Sequence, residues 1–110
     1  MDYEGIVLEV QARFKYRAAR GVKALADRYA GYSWVAKIDL ATLDMSNCKD
    51  CLLGQLFGDY YMGLNALGLP SGTAFGFMED PGFFFEYGLS YEEQYAILTR
   101  VWVEELRGLA

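Results

Sequence analysis

Apolar residues recur at three- and four-residue intervals along three stretches of this chain, with clusters of turn residues between them. In the first stretch, residues 3–29, Val7, Phe14, Ala18, Val22, Leu25 and Tyr29 fall on one face of a 3.6-residue wheel, which predicts an amphipathic helix. Arg13, Arg17, Arg20 and Arg28 form the adjoining stripe. Gly21 costs about 1 kcal/mol relative to alanine and marks where a kink would fall. Ala30-Gly31 is the expected stop, since glycine readily takes the left-handed backbone that ends a helix.

The next residues, "YSWVAKIDLATLDMSN", alternate less clearly. Short helical turns opened by Ser33 and Asp39 fit best, with a strand over "VAKIDL" as the alternative. Trp34 is the natural anchor of this passage to the core, because a large ring buries much area and still pairs its N–H. The second apolar stretch predicts one central helix from about Asn47 to Leu67, with Asp44, Ser46 and Asn47 as capping types before it and Gly68 after it. Leu53, Leu56, Phe57, Tyr60, Leu64 and Leu67 give it a wide apolar surface, and Gly54 and Gly58 would admit another backbone on one side. Cys51, Gln55 and Asp59 recur every fourth residue as a polar stripe on this element. Either they pair with backbone groups of the flanking loops, or they line a small pocket beside Gly54 and Gly58.

Residues 69–89 are rich in glycine, proline and phenylalanine. Asp80-Pro81-Gly82 is a turn signal, because proline presets φ and glycine tolerates the backbone that completes the turn. Phe83, Phe84 and Phe85 then read as a short strand or an irregular crossover. Ser90 and Glu93 have capping-box spacing and start a last helix to about Arg107, with Tyr91, Tyr95, Leu98, Trp102 and Leu106 facing inward and Gly108 ending it. The pattern as a whole predicts a mainly α, compact single domain over residues 1–110. About four helices form the bundle, with an aromatic, loop-rich connection before the last.

Composition narrows the chemistry. Histidine is absent, which removes Ser-His and Cys-His nucleophile pairs, imidazole bases and histidine-containing metal sites. Two cysteines alone do not complete a tetrahedral zinc site, so neither metal nor cofactor is expected and an enzyme is disfavoured. No apolar run is long enough to span a membrane, and the acidic start lacks the basic region of a signal peptide. The expected location is the cytoplasm, where thiols stay reduced. Residues 1–37 carry seven basic and four acidic side chains, whereas residues 38–110 carry three and eleven, for a net charge of −5 overall. That balance disfavours nucleic acid as a partner, apart from local contact through the arginine stripe.

Three features remain as candidate sites. Cys48-Lys49-Asp50-Cys51 has the spacing of redox pairs whose first thiol sits at a helix N-terminus with a lowered pKa, although no βαβ pattern precedes it. Arg13, Arg17 and Arg20 would grip phosphate or an acidic partner, or form an ordinary solvated face. The rings of the 75–87 segment, Phe83, Phe84 and Phe85 among them, exceed what one short segment easily buries and would serve as interface anchors.

Leu43-Asp44-x-Ser46, then Cys51-x-Leu53-Gly54-Gln55-Leu56-x-Gly58, then "LTRVW" resemble a group of small proteins encoded by phages that infect actinobacteria. The resemblance covers roughly Trp34 to Trp102 and departs at Gly31-Tyr32-Ser33-Trp34, where a Pro-Gly-Trp turn is common in the group. It implies a phage accessory protein acting inside a bacterium. It also implies that Cys51 belongs to the helix pattern and that Cys48 is incidental. The function expected from all of this is protein–protein interaction with a host or phage protein. A thiol–disulfide or thiol-sensing protein, and weak nucleic-acid contact, are the alternatives. An apolar, glycine-flanked helix and exposed rings would also suit a homodimer.

Overall fold

The computed structural model describes residues 2–110, which are mainly α-helical with no strand among them. Helix α1 spans Tyr3–Tyr29 without interruption. Asp2 caps it by accepting from the Gly5 N–H at 2.7 Å, and Ala30 ends it in the left-handed conformation at φ 55°. At 27 residues and 1.5 Å rise per residue, α1 is about 40 Å long, and it sets the 41 Å long axis of the molecule. Val10, Phe14, Ala18, Gly21 and Leu25 are its buried line. Gly21 is no kink but a close approach. A Cβ there would run into the Phe75 carbonyl oxygen and crowd the rings of Phe77 and Trp102.

After α1 the chain makes a short 3-10 turn at Ser33–Lys37, in agreement with helical turns rather than a strand. Ser33 does not cap it; the turn has no side-chain cap. Trp34 is fully buried and its indole N–H donates to the Gly31 carbonyl at 3.0 Å, which fastens the turn to the end of α1. Residues 38–51 continue as a run of turns. Asp39 stabilises one of them by accepting from the Ala41 N–H at 3.0 Å, rather than starting a helix.

The single central helix expected over Asn47–Leu67 is two helices. Helix α2 is only Leu52–Phe57 and α3 is Tyr60–Leu67. Gly58 breaks them at φ 103°, a conformation open to glycine. Asp59 then caps α3 by accepting from the Met62 N–H at 2.8 Å. The two short helices fold back on each other, and Gly63 lets the Leu53 and Phe57 side chains lie directly against the α3 backbone.

The turn-rich passage contains a second 3-10 turn, Thr73–Phe75, and a helix in place of the expected strand or crossover. Helix α4, Pro81–Tyr87, has Asp80 as its cap, Pro81 in its first turn and Gly88 at its end in the left-handed conformation. The Asp-Pro-Gly signal therefore starts a helix, because a proline in the first turn lacks only an N–H that would go unpaired there anyway.

Helix α5 runs Tyr91–Leu109, and its capping box is complete: Ser90 accepts from the Glu93 N–H and Glu93 from the Ser90 N–H, both at 3.1 Å. It continues through Gly108, and Tyr91 points outward, while Gln94, Ile97, Leu98, Val101, Trp102 and Leu106 are buried. Helices α1 and α5 pack along each other in the same direction. Tyr3 near the start of one donates to Glu93 near the start of the other at 2.9 Å. Everything between them, residues 30–90, crosses back over this pair. No helix is long and apolar enough to cross a membrane among the described residues.

Candidate functional site

The arginine stripe and the aromatic segment, two separate features in the sequence, meet in the structure. Phe83 is 2% exposed and packs on Phe14 of α1 with ring centroids 5.4 Å apart. The guanidinium carbons of Arg13 and Arg17 lie 5.0 and 4.9 Å from its ring centre, within the range of cation–π attraction. Arg17 also pairs with Asp80 at 2.9 Å, and Arg13 with Glu86 at 3.2 Å and the Tyr87 hydroxyl at 3.0 Å. One Arg17 nitrogen, Nη1, is buried with no hydrogen-bond acceptor, and the face of Phe83 is what that guanidinium rests on. Arg20 donates to the Ala74 carbonyl at 3.3 Å and stacks at 4.7 Å over Phe75. The stripe is therefore the mount of the aromatic connection rather than a free solvated face. Phe83 belongs to the core, a correction to its place among the interface anchors.

Gln94 completes this mount from beneath. Its side chain is wholly buried; its carbonyl accepts from the Asp80 N–H at 2.9 Å and its amide donates to the Leu89 carbonyl at 3.4 Å. One residue of α5 thus ties down the backbone on both sides of α4. What α4 leaves outside is Phe84 and Phe85, 48% and 84% exposed and edge-to-face at 5.4 Å. An open groove of about 610 Å³ lies along the arginine stripe, lined by Arg13, Tyr16, Arg17, Arg20, Ser71 and Thr73 among others.

The cysteine pair is built differently from a redox helix. Helix α2 starts after Cys51, and the Cys51 sulfur is itself the cap, accepting from the Gly54 N–H at 3.2 Å. Cys48 is exposed in the preceding turn, outside the first turn of any helix, and Cys51 is buried. Burial pushes the Cys51 thiol up from its ordinary pKa. Gly54 is a close-approach position, but the approaching backbone is its own preceding turn: a Cβ would run into the carbonyl oxygens of Cys48 and Lys49. Gly58 has no such neighbour and serves the bend alone.

Backbone groups take up the polar stripe. Gln55 accepts from the Asp39 N–H at 2.7 Å and donates to the carbonyls of Asp39 and Asp50, each at 3.1 Å, and Asp59 is the cap of α3. Cys51, Gln55 and Asp59 thus do not converge on a pocket with Gly54 and Gly58.

A cluster that the sequence pattern does not announce lies between the loop and α5. Glu79 is buried, and its carboxylate accepts from the Tyr95 hydroxyl. Burial is the main cause that pushes Tyr60 up to about 12, and burial followed by the bond to Glu79 raises Tyr95 as well. The one signal in the sequence is Tyr95 itself, since an inward-facing phenol on the last helix requires an acceptor. Among the described residues no three histidine, cysteine, aspartate or glutamate side chains converge as a metal-ligand group. Comparison with protein-family models, curated proteins and solved structures finds no match to this chain.

Proposed function

We propose that this protein is a binding module that engages a host or phage protein through the outer edge of α4. Phe84 and Phe85 enter an apolar pocket of the partner. The observation that carries this reading is the pair of neighbouring exposed aromatic rings on a seven-residue helix. Aromatic side chains of this kind are the residues that interfaces use as anchors. The likeness to phage accessory proteins supports the setting, an interaction inside an infected bacterium.

Nucleic-acid contact is the weaker reading, because Arg13 and Arg17 already face Glu86, Asp80 and the Phe83 ring. Thiol exchange is weaker too, since the Cys51 thiol is buried and capped into a helix. Quantitative cross-linking in host lysate is the test, comparing the wild type with a Phe84→Ser/Phe85→Ser variant whose helicity is verified by circular dichroism. A partner retained by the wild type and weakened about tenfold or more in the variant is the expected result. Equal capture by both proteins would exclude this surface.

A further inference from the structure

We propose that the small cavity beneath the 44–51 loop binds a soft monovalent metal ion, Cu(I) or its analogue Ag(I). The cavity has a volume of about 90 Å³. Its walls include Met45, Cys48 and Cys51 of the loop, Tyr60 of α3, Met78 of the passage before α4, and Tyr95 of α5. Both cysteines of the chain and two of its four methionines line this one cavity. Met78 is far from the other three in sequence, so the convergence is a product of the fold.

The loop that carries three of the four sulfur residues is held by its own hydrogen bonds. The Asp44 N–H donates to the Asp50 carbonyl at 3.2 Å, and the Cys51 N–H to the Asn47 carbonyl at 2.9 Å. The Met45 N–H donates to the Thr99 hydroxyl at 3.0 Å, which anchors the loop on α5. Preorganisation of this kind lowers the cost of gathering ligands around an ion.

Size and donor type select the ligand. Pockets for organic ligands run from about 300 Å³ upward, so this space suits an ion. Thiolate and thioether are soft donors that favour Cu(I), whereas zinc wants four nitrogen, thiolate or carboxylate ligands and finds two thiols here. The same count that removes zinc from the chemistry of this chain thus leaves a soft ion, for which methionine is a ligand. Binding exchanges one thiol proton for the ion: the S–H bond breaks, a sulfur–metal bond forms, and the proton leaves to solvent. One thiolate then balances one positive charge, and the oxidation state of the metal does not change. The exposed turn at Cys48 is the entry side.

Titration of the reduced protein with Ag(I), a redox-inert probe, is the test, monitored by calorimetry and by ultraviolet thiolate-to-metal absorption. One ion per chain is expected. Cys51→Ser keeps a capping oxygen in place of sulfur and is expected to bind at least about tenfold more weakly. A Met45→Leu/Met78→Leu variant conserves volume and is expected to lose affinity severalfold, with Met62→Leu, outside the cavity, unchanged. No saturable binding at one ion per chain would overturn the proposal. So would undiminished affinity in the methionine variant, which would reduce the site to the two thiols alone, or equally tight binding of Zn(II). If the double variant is not helical by circular dichroism, Met78→Leu alone takes its place with the same two outcomes.

Discussion

Two glutamines do the same work at two corners of the molecule, and they differ in their access to water. Gln94 reaches out of α5 and ties Asp80 to Leu89, closing the ends of α4. Gln55 reaches out of α2 and ties Asp39 to Asp50, closing the ends of the 39–50 loop. The first is wholly buried and the second half-buried. A side-chain amide offers a donor and an acceptor at once, which makes it a natural clasp for two strands of irregular backbone. The difference is what happens when it is removed. At Gln94 no water waits to replace it; at Gln55 solvent is close.

Between the two corners, the largest effect should therefore come from Gln94→Leu, which keeps the volume and removes both bonds. Leaving the Asp80 N–H and the Leu89 carbonyl without partners costs about 1–3 kcal/mol for each group that stays buried. Chemical denaturation should show this loss. Proteolysis should localise it to residues 80–89, because the clasp is what holds α4 beneath the arginines.

How far these two corners can be read from the chain depends on whether their causes are local. Helix α1, the Ser90 capping box and the anchoring role of Trp34 are set by spacing and by neighbours within one turn, and they are legible. The break at Gly58 is not. An apolar pattern running through Leu53, Phe57, Tyr60 and Leu64 has the same period whether the helix is straight or folded in two. Asp59 signals a cap only once the chain is known to stop there. Helix α4 is hidden for the reverse reason: Asp80-Pro81-Gly82 serves equally as a turn and as a helix start, and its choice rests on Arg17 and Gln94, both distant in sequence. The Arg13–Phe83–Arg17 stack and the sulfur cavity are likewise products of tertiary contact. Their residues are visible singly, but their meeting is not.

The second effect depends on pH. Tyr60 and Tyr95, which line the cavity beneath the 44–51 loop, both have pKa values raised above that of a free phenol, Tyr60 to about 12. Above about pH 10 the unfolded chain gives up these protons while the folded chain keeps them, so stability falls as pH rises. The Tyr60 contribution is complete below about pH 10 and disappears through about pH 12. Denaturation midpoints should drop across this range, and a Tyr60→Phe variant should drop less. An equal drop in that variant would assign the alkaline loss to other groups.

Gln55→Leu comes third. Solvent takes over much of what the amide did, so about 1 kcal/mol is expected. Its measured ratio to Gln94→Leu is the direct test of the contrast. Equal losses at both positions would mean that burial does not decide the worth of the clasp.

The smallest effect tests the division between framework and surface at α4 itself. Phe83 and its neighbours Phe84 and Phe85 are one run of identical residues, yet Phe83 is the one whose ring packs on α1. Truncating it empties a site packed against Phe14 and two guanidinium groups, and about 3–5 kcal/mol should be lost. Phe85→Ser removes a ring that lies mostly in water, and surface changes of this kind usually stay within about 0.5 kcal/mol; Phe84, half exposed, adds a somewhat larger loss that still falls well short of Phe83→Ala. The fold therefore gives little reason for a phenylalanine at position 85. If thermal unfolding of the double variant stays nearer the wild type than Phe83→Ala while partner capture fails, the rings are there for something outside the molecule. If the double variant unfolds as readily as Phe83→Ala, they are part of the core's outer layer and the docking edge must be sought elsewhere.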